Sequence, residues 1–146
     1  MNEFERIARF TEAFEVLPAP FGPGDDCAVL PPSRQQVVTT DAVVEGVHFR
    51  RRTFSMADVG HKALAVNLSD LAAMGAVPTW FVCALGVPDD VSPQDLRALA
   101  RGMSALAKVH GIRLVGGNVT GALQLSVTIT AAGEVETPLL RSGGRP

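Results

Sequence analysis

The chain has 146 residues, 47% hydrophobic and 19% charged, which suits one globular domain with a real core and excludes a disordered tail. A formal charge of -2 leaves no basic surface for a nucleic acid; the one cationic run, Arg50-Arg51-Arg52, reads as a solvated turn. The acidic start Met1-Asn2-Glu3-Phe4-Glu5 is no secretory leader, and Asn67, Ser69 and Asp70 interrupt the apolar stretch from Ala63 to Ala76, so no membrane span is expected and the cytoplasm is the default compartment.

Asn2 can cap a first helix, with Glu5 reaching back and Phe4, Ile7, Ala8 and Phe14 forming an apolar stripe that Pro18 ends. The turn Gly22-Pro23-Gly24-Asp25-Asp26 leads into a short strand from Cys27 to Leu30. A second strand, Gln36 to Thr40, runs into Asp41. Ser55 and Asp58 form a capping box for a long helix that closes near Gly75 and Pro78. Trp80 to Leu85 reads as an apolar strand. Ser92, Pro93 and Asp95 open a helix that repeats through Leu96, Leu99, Met103, Leu106 and His110 to Gly111. Ile112 to Val115 is a strand ending in Gly116-Gly117-Asn118. Leu123, Leu125, Val127 and Ile129 then alternate with polar residues as a half-buried strand. Cys27 and Cys83 have no paired metal spacing and read as reduced core thiols. The order predicts an α/β (α+β) fold, a mixed sheet with helices on one face.

Chemistry must come from scattered oxygens, because the chain has no P-loop, kinase glycine loop, HExxH, nucleophile elbow or CxxC. Asp25-Asp26 is more commonly a polar turn than a ligand pair. Asp70 sits in a helix that is apolar nearly all round, which predicts a buried carboxylate in need of a metal or a strong donor set, on one face with Asn67. A ligand is slightly favoured there over a cap for a neighbouring loop. Thr39-Thr40-Asp41 at a strand end offers oxygens to a hard cation, although a strand-ending Asx turn explains it equally well. Gly116-Gly117-Asn118 lets the backbone approach a phosphate but is weak by itself. His48 between Val47 and Phe49 is more often a packed histidine than a ligand.

Three blocks nonetheless resemble thiamine-monophosphate kinases: Gly24-Asp25-Asp26-Cys27-Ala28-Val29; Thr39-Thr40-Asp41 with Val44-Glu45-Gly46-Val47-His48-Phe49; and the run from Lys62 to Ala76 containing Asn67-Leu68-Ser69-Asp70-Leu71. The last is shared with the wider aminoimidazole ribonucleotide synthetase superfamily, and the Val-Glu-Gly-Val-His-Phe block points to the thiamine branch. The resemblance implies ATP-dependent phosphorylation of thiamine monophosphate to thiamine pyrophosphate. It implies Asp26, Thr39, Thr40, Asp41, Asp70 and Asn118 as Mg²⁺ ligands, His48 as a substrate contact, and Gly117, Asn118 and Arg141 as ATP contacts. The chain departs from the pattern at Asn118, where the family usually has aspartate; the lost charge predicts weaker binding of one metal.

The resemblance further implies that residues 1–140 form an N-terminal domain for Mg-ATP binding and dimerisation, with residues 141–146 beginning a linker to a C-terminal domain not present in this sequence. It implies a homodimer formed by pairing of sheets, with no nucleic-acid or membrane partner and little activity for this chain alone. The alternative expectation is a non-catalytic dimerisation module or truncated relative. A selenophosphate synthetase is disfavoured, since its reactive N-terminal Cys or Lys is missing.

Overall fold

A computed structural model of the chain describes residues 3–15 and 35–140. In chain order the elements are α1 (Glu3–Thr11), β1 (Gln36–Val44), α2 (Met56–Ala73), β2 (Val77–Val87), α3 (Pro93–His110), β3 (Arg113–Gly121) and β4 (Ser126–Glu134). The expected strand Cys27 to Leu30, with Asp25 and Asp26, lies outside the described residues, as does Arg141.

The two long helices begin as their sequences predict. Ser55 Oγ accepts from the Asp58 N–H at 3.1 Å while Asp58 accepts from the Ser55 N–H at 3.1 Å, and Ser92 with Asp95 repeats the box ahead of Pro93. The Ser55 hydroxyl, then its backbone N–H, hold the Asp58 carboxyl below its ordinary range. Gly111, at φ 65°, ends α3 in the left-handed conformation that glycine takes without strain.

Buried residues of α2 recur as Val59, Gly60, Ala63, Leu64, Asn67, Leu68 and Leu71, those of α3 as Leu96, Leu99, Ala100, Met103, Ser104 and Ala107. Both follow the three-four spacing of one helical stripe. The stripes face each other so closely that a Cβ at Gly60 would run into the Leu99 carbonyl, and one at Gly102 into that of Ala57. Glycine at this crossing is a packing requirement.

The sheet has the strand order β1-β4-β2-β3. β2 and β3 are parallel, with α3 as their crossover, and β4 is antiparallel to both β1 and β2. Along β4, Val127, Ile129 and Ala131 are fully buried under the helices; Ser126, Thr128 and Thr130 point the other way. β2 follows suit, with Phe81, Cys83 and Leu85 inside and Ala84 exposed. Burying a side chain such as Phe81, Leu64 or Ile129 contributes about 1.5–3 kcal/mol, whereas an exposed ion pair contributes about 0–1 kcal/mol, so the core holds the fold. No helix among the described residues is long and apolar enough to cross a membrane.

Four expectations change. β1 continues past Asp41 to Val44, so Asp41 is a mid-strand residue and not a strand end. β3 runs through Gly116-Gly117-Asn118 to Gly121; Gly117 is needed there because a Cβ would strike the backbone of Cys83, its partner on β2 just past a bulge at Phe81/Val82. β4 begins at Ser126, leaving Leu123 fully exposed in the turn before it. Asp70 is exposed, not buried, although the fully buried Asn67 lies one turn before it on the helix. The helix looked apolar all round because Ala72 and Ala73, both exposed, add to its buried stripe.

Gly60→Ala should destabilise the chain by about 2 kcal/mol, the overpacking cost exceeding the ~1 kcal/mol that alanine gains in a helix. Urea unfolding checks this. A net stabilisation would show that the helices do not cross at that residue.

Candidate functional site

β1 and α2 run antiparallel beside each other and carry the central pair. Thr39 Oγ1, on the helix side of β1, donates to Asp70 Oδ2 on the last turn of α2 at 2.7 Å. Asp41 stands one pleat further along the same side of β1 and is exposed. Thr39 and Asp70 also line a cleft of about 1030 Å³, together with Val37, Leu71, Met74 and Leu139. A mostly apolar lining with a carboxylate and a hydroxyl in it is the usual make-up of a small-molecule site.

Thr40 points to the other face of the sheet. Its hydroxyl donates to the Ile129 carbonyl at 3.1 Å and accepts from Thr130 Oγ1 at 3.0 Å, so any contribution to a cation beside Asp70 must come from its backbone. Gly117 and Asn118 lie on β3, at the opposite edge of the sheet from β1 with β4 and β2 between. At about 4.8 Å per strand spacing that is on the order of 14 Å from the Thr39–Asp70 pair, too far for one ion to touch both. No group of three or more His, Cys, Asp or Glu side chains placed to hold a metal occurs among the described residues. The expected ligands are thus gathered in part: Thr39 with Asp70, Asp41 beside them, Asn118 apart.

His48 is exposed on the loop after β1. Its Nδ1 accepts from the Val44 N–H at 3.0 Å and its own N–H donates to the Val44 carbonyl at 2.9 Å, which places the ring proton on Nε2 and leaves that atom for an outside partner. Side chains whose roles the sequence does not reveal fix this loop. Lys62 Nζ donates to the His48 carbonyl at 2.7 Å. Arg51 donates to Glu45 at 2.8 Å and to Asp90 at 3.0 Å, the Glu45 bond and then the Asp90 bond holding the guanidinium even more firmly protonated than usual. The middle of the arginine triplet is therefore a tie between two loops and no mere solvated turn. Lys62 lies two turns before Asp70 on α2, too far away to neutralise that carboxylate.

Cys83 is buried on β2, and desolvation pushes its thiol up to about 12. At neutral pH it carries no thiolate, so it is a packing residue and not a nucleophile.

Residues 24–135 match the family described as AIR synthase related protein, N-terminal domain. The thiamine-monophosphate kinase of Bacillus subtilis (strain 168) is 39% identical over 152 aligned residues, covering 100% of this chain and 47% of that protein. A crystal structure of thiamine-monophosphate kinase from Stenotrophomonas maltophilia K279a superposes with a TM-score of 0.71 at 43% identity, over 90% of this chain and 40% of that one. AaThiL complexed with AMPPCP and TMP gives a TM-score of 0.74 at 32% identity, over 80% of this chain and 38% of that one. The chain spans about half the length of the curated relatives it matches. With a mixed sheet like theirs and a family match over most of its residues, the chain belongs to the AIR synthase related proteins and carries their N-terminal domain.

Proposed function

We propose that the chain is the part of a cytoplasmic thiamine-monophosphate kinase that binds Mg²⁺, ATP and the acceptor, the reaction moving the γ-phosphoryl group of ATP onto thiamine monophosphate to give thiamine pyrophosphate. The Thr39–Asp70 pair in the lining of a mostly apolar cleft, with Asp41 beside it, carries this reading. Relatives named for the activity and a related structure holding AMPPCP and TMP support the choice of substrates.

The donor set fits the metal. Two carboxylates and a hydroxyl are hard oxygens, and these suit Mg²⁺. Asp70 and Asp41 would hold it, joined by Asp26, which lies outside the described residues. Magnesium, when bound, neutralises charge on the phosphoryl oxygens and aligns them. The chain's own residues supply positioning. Thr39 locks the Asp70 carboxylate by occupying one of its oxygens, leaving the other for a cation. Gly117 and Asn118 offer backbone and amide groups to the nucleotide at the far edge of the sheet, with Arg141 adding a cation. His48 offers Nε2 to the acceptor phosphate. No catalytic side chain is required. The acceptor is itself a phosphate with a second pKa near about 6, so at neutral pH its attacking oxygen needs no base.

The uncovered face of the sheet, with Val38, Val82 and Ala84 around the hydroxyls of Thr40, Thr128 and Thr130, is read as the pairing surface of a homodimer. The hydroxyl row makes that surface more mixed than the apolar one expected from Trp80 to Leu85 alone. Residues 1–140 act here as the binding and dimerisation domain. Closure over the triphosphate is assigned to the part of the longer relatives that this chain does not match, with residues 141–146 as the link to it.

Asp70→Asn should weaken Mg²⁺-dependent ATP binding about tenfold or more in calorimetry, by removing a charge from a cation's ligand, while ATP binding without metal stays unchanged. Equal affinity with and without Mg²⁺ in the unaltered chain would contradict the reading. Asn118→Asp should tighten Mn²⁺ binding severalfold, and unchanged affinity would place residue 118 away from any metal. Light scattering after size exclusion should give a dimer that Val82→Lys converts to monomer by burying an unpaired charge; a monomeric parent chain would refute sheet pairing.

A further inference from the structure

One feature among the described residues plays no part in the proposed mechanism. The loop carrying His48 is fastened by a lysine whose ammonium forms no ion pair with a carboxylate among the described residues. Lys62 is on the exposed side of α2, in its second turn. Its Nζ donates to the His48 carbonyl at 2.7 Å and lies 5.2 Å from the centroid of the Phe54 ring. Phe54 in turn meets the buried Phe49 ring at 6.5 Å between centroids. The ion pairs among the described residues join Arg6, Arg9, Arg51 and Arg97 to carboxylates and leave Lys62 out.

We propose that Lys62 is a positioning residue for the acceptor: it holds the His48 carbonyl, and through it the direction in which His48 Nε2 leaves the loop. The proposal rests on the reading of His48 as the acceptor contact. Physically, a four-carbon stem rooted on a rigid helix ends on a carbonyl and an aromatic face, two weakly competing partners that both belong to one loop. A carboxylate partner would bind the ammonium more strongly and release the loop. The remaining His48 bonds are local, both to Val44 four residues earlier along the turn, and Gly46 at φ 80° gives this turn a left-handed step. Local bonds shape the turn but cannot fix it against the rest of the molecule. Lys62 on one side and the Arg51–Asp90 pair on the other add to the attachment made by the Glu45 N–H on the Leu125 carbonyl at 2.9 Å and by the buried Phe49. The unpaired positive charge also lies close to where an anionic acceptor would approach, which favours an approach from this side.

The test uses the chain with Lys62→Met, Lys62→Arg and Phe54→Leu, each also combined with His48→Ala. The readouts are amide exchange of Gly46 and His48, the His48 ring nitrogen shifts, and the affinities for thiamine monophosphate and for Mg-ATP. Losing a hydrogen bond to a charged group predicts that Lys62→Met speeds exchange of both amides about tenfold, averages the ring shifts between tautomers, and weakens thiamine monophosphate binding about tenfold. Mg-ATP affinity should stay within about twofold, and Lys62→Arg, which keeps donor and charge, should restore protection and most of the affinity. Phe54→Leu should shift the same readouts in the same direction by less, and it carries the comparison if Lys62→Met does not fold. On a His48→Ala background Lys62→Met should cost nothing further, because the two act through one contact. Unchanged exchange and affinity in Lys62→Met, or an undiminished loss on the His48→Ala background, would overturn the positioning role. If His48→Ala alone leaves thiamine monophosphate affinity unaltered, or the unaltered chain does not bind it, the acceptor reading of His48 fails and the proposal falls with it.

Discussion

The packing of α2 is the constraint on which both parts of the site depend. Its buried stripe is pressed against α3 at a glycine crossing and against β1 and β4 on its other flank, so the helix can neither rotate nor slide without opening the core. That fixes what its exposed side presents. Lys62 and Asp70 are eight residues apart, about 12 Å along the axis, and each is tied to the same length of neighbouring chain: Asp70 to Thr39 on β1, Lys62 to His48 on the loop that follows. The antiparallel run of helix and strand pairs the late helix residue with the early strand residue. One rigid helix thus spaces the proposed cation position from the proposed acceptor position.

The chemistry that such an arrangement supports is electrostatic and not covalent. Cys83, the described cysteine, is buried with its thiol pushed up to about 12; Arg51 is committed to Glu45 and Asp90 and Lys62 to a carbonyl, while Arg50 and Arg52 stay exposed on the loop. Hard oxygens line the cleft, and one imidazole nitrogen is open on the loop. Phosphoryl transfer between two phosphates asks for that kind of site, since charge neutralisation and alignment lower the barrier without a nucleophilic side chain. The position of Asn118 at the opposite edge of the sheet from Thr39 means that a full set of expected ligands would have to serve separate ions.

Where the sequence carried its own local physics, the fold could be read from it. Ser55 with Asp58 and Ser92 with Asp95 announce helix starts by reciprocal capping, and Gly111 announces an end; none of these depends on distant residues. Asp70 was read as buried because the exposed Ala72 and Ala73 are indistinguishable from core alanines by type. Gly116-Gly117-Asn118 reads as a strand end because glycine pairs usually break strands; the requirement at Gly117 comes from the Cys83 backbone, a contact across the sheet that no spacing encodes. The Thr39–Asp70 bond spans 31 positions and Arg51–Asp90 spans 39. Such tertiary pairings follow from register and helix placement. The site residues were legible through family blocks, not through the geometry that joins them.

The central claim, that a divalent cation sits between β1 and the end of α2, is tested most directly by paramagnetic broadening. Substoichiometric Mn²⁺ added to the isotopically labelled chain in the presence of an ATP analogue should broaden first the amide signals of Thr39, Asp41 and Asp70, with excess Mg²⁺ reversing the effect. Broadening that is uniform over the surface, or centred elsewhere while the Thr39 and Asp70 signals stay sharp, would contradict it.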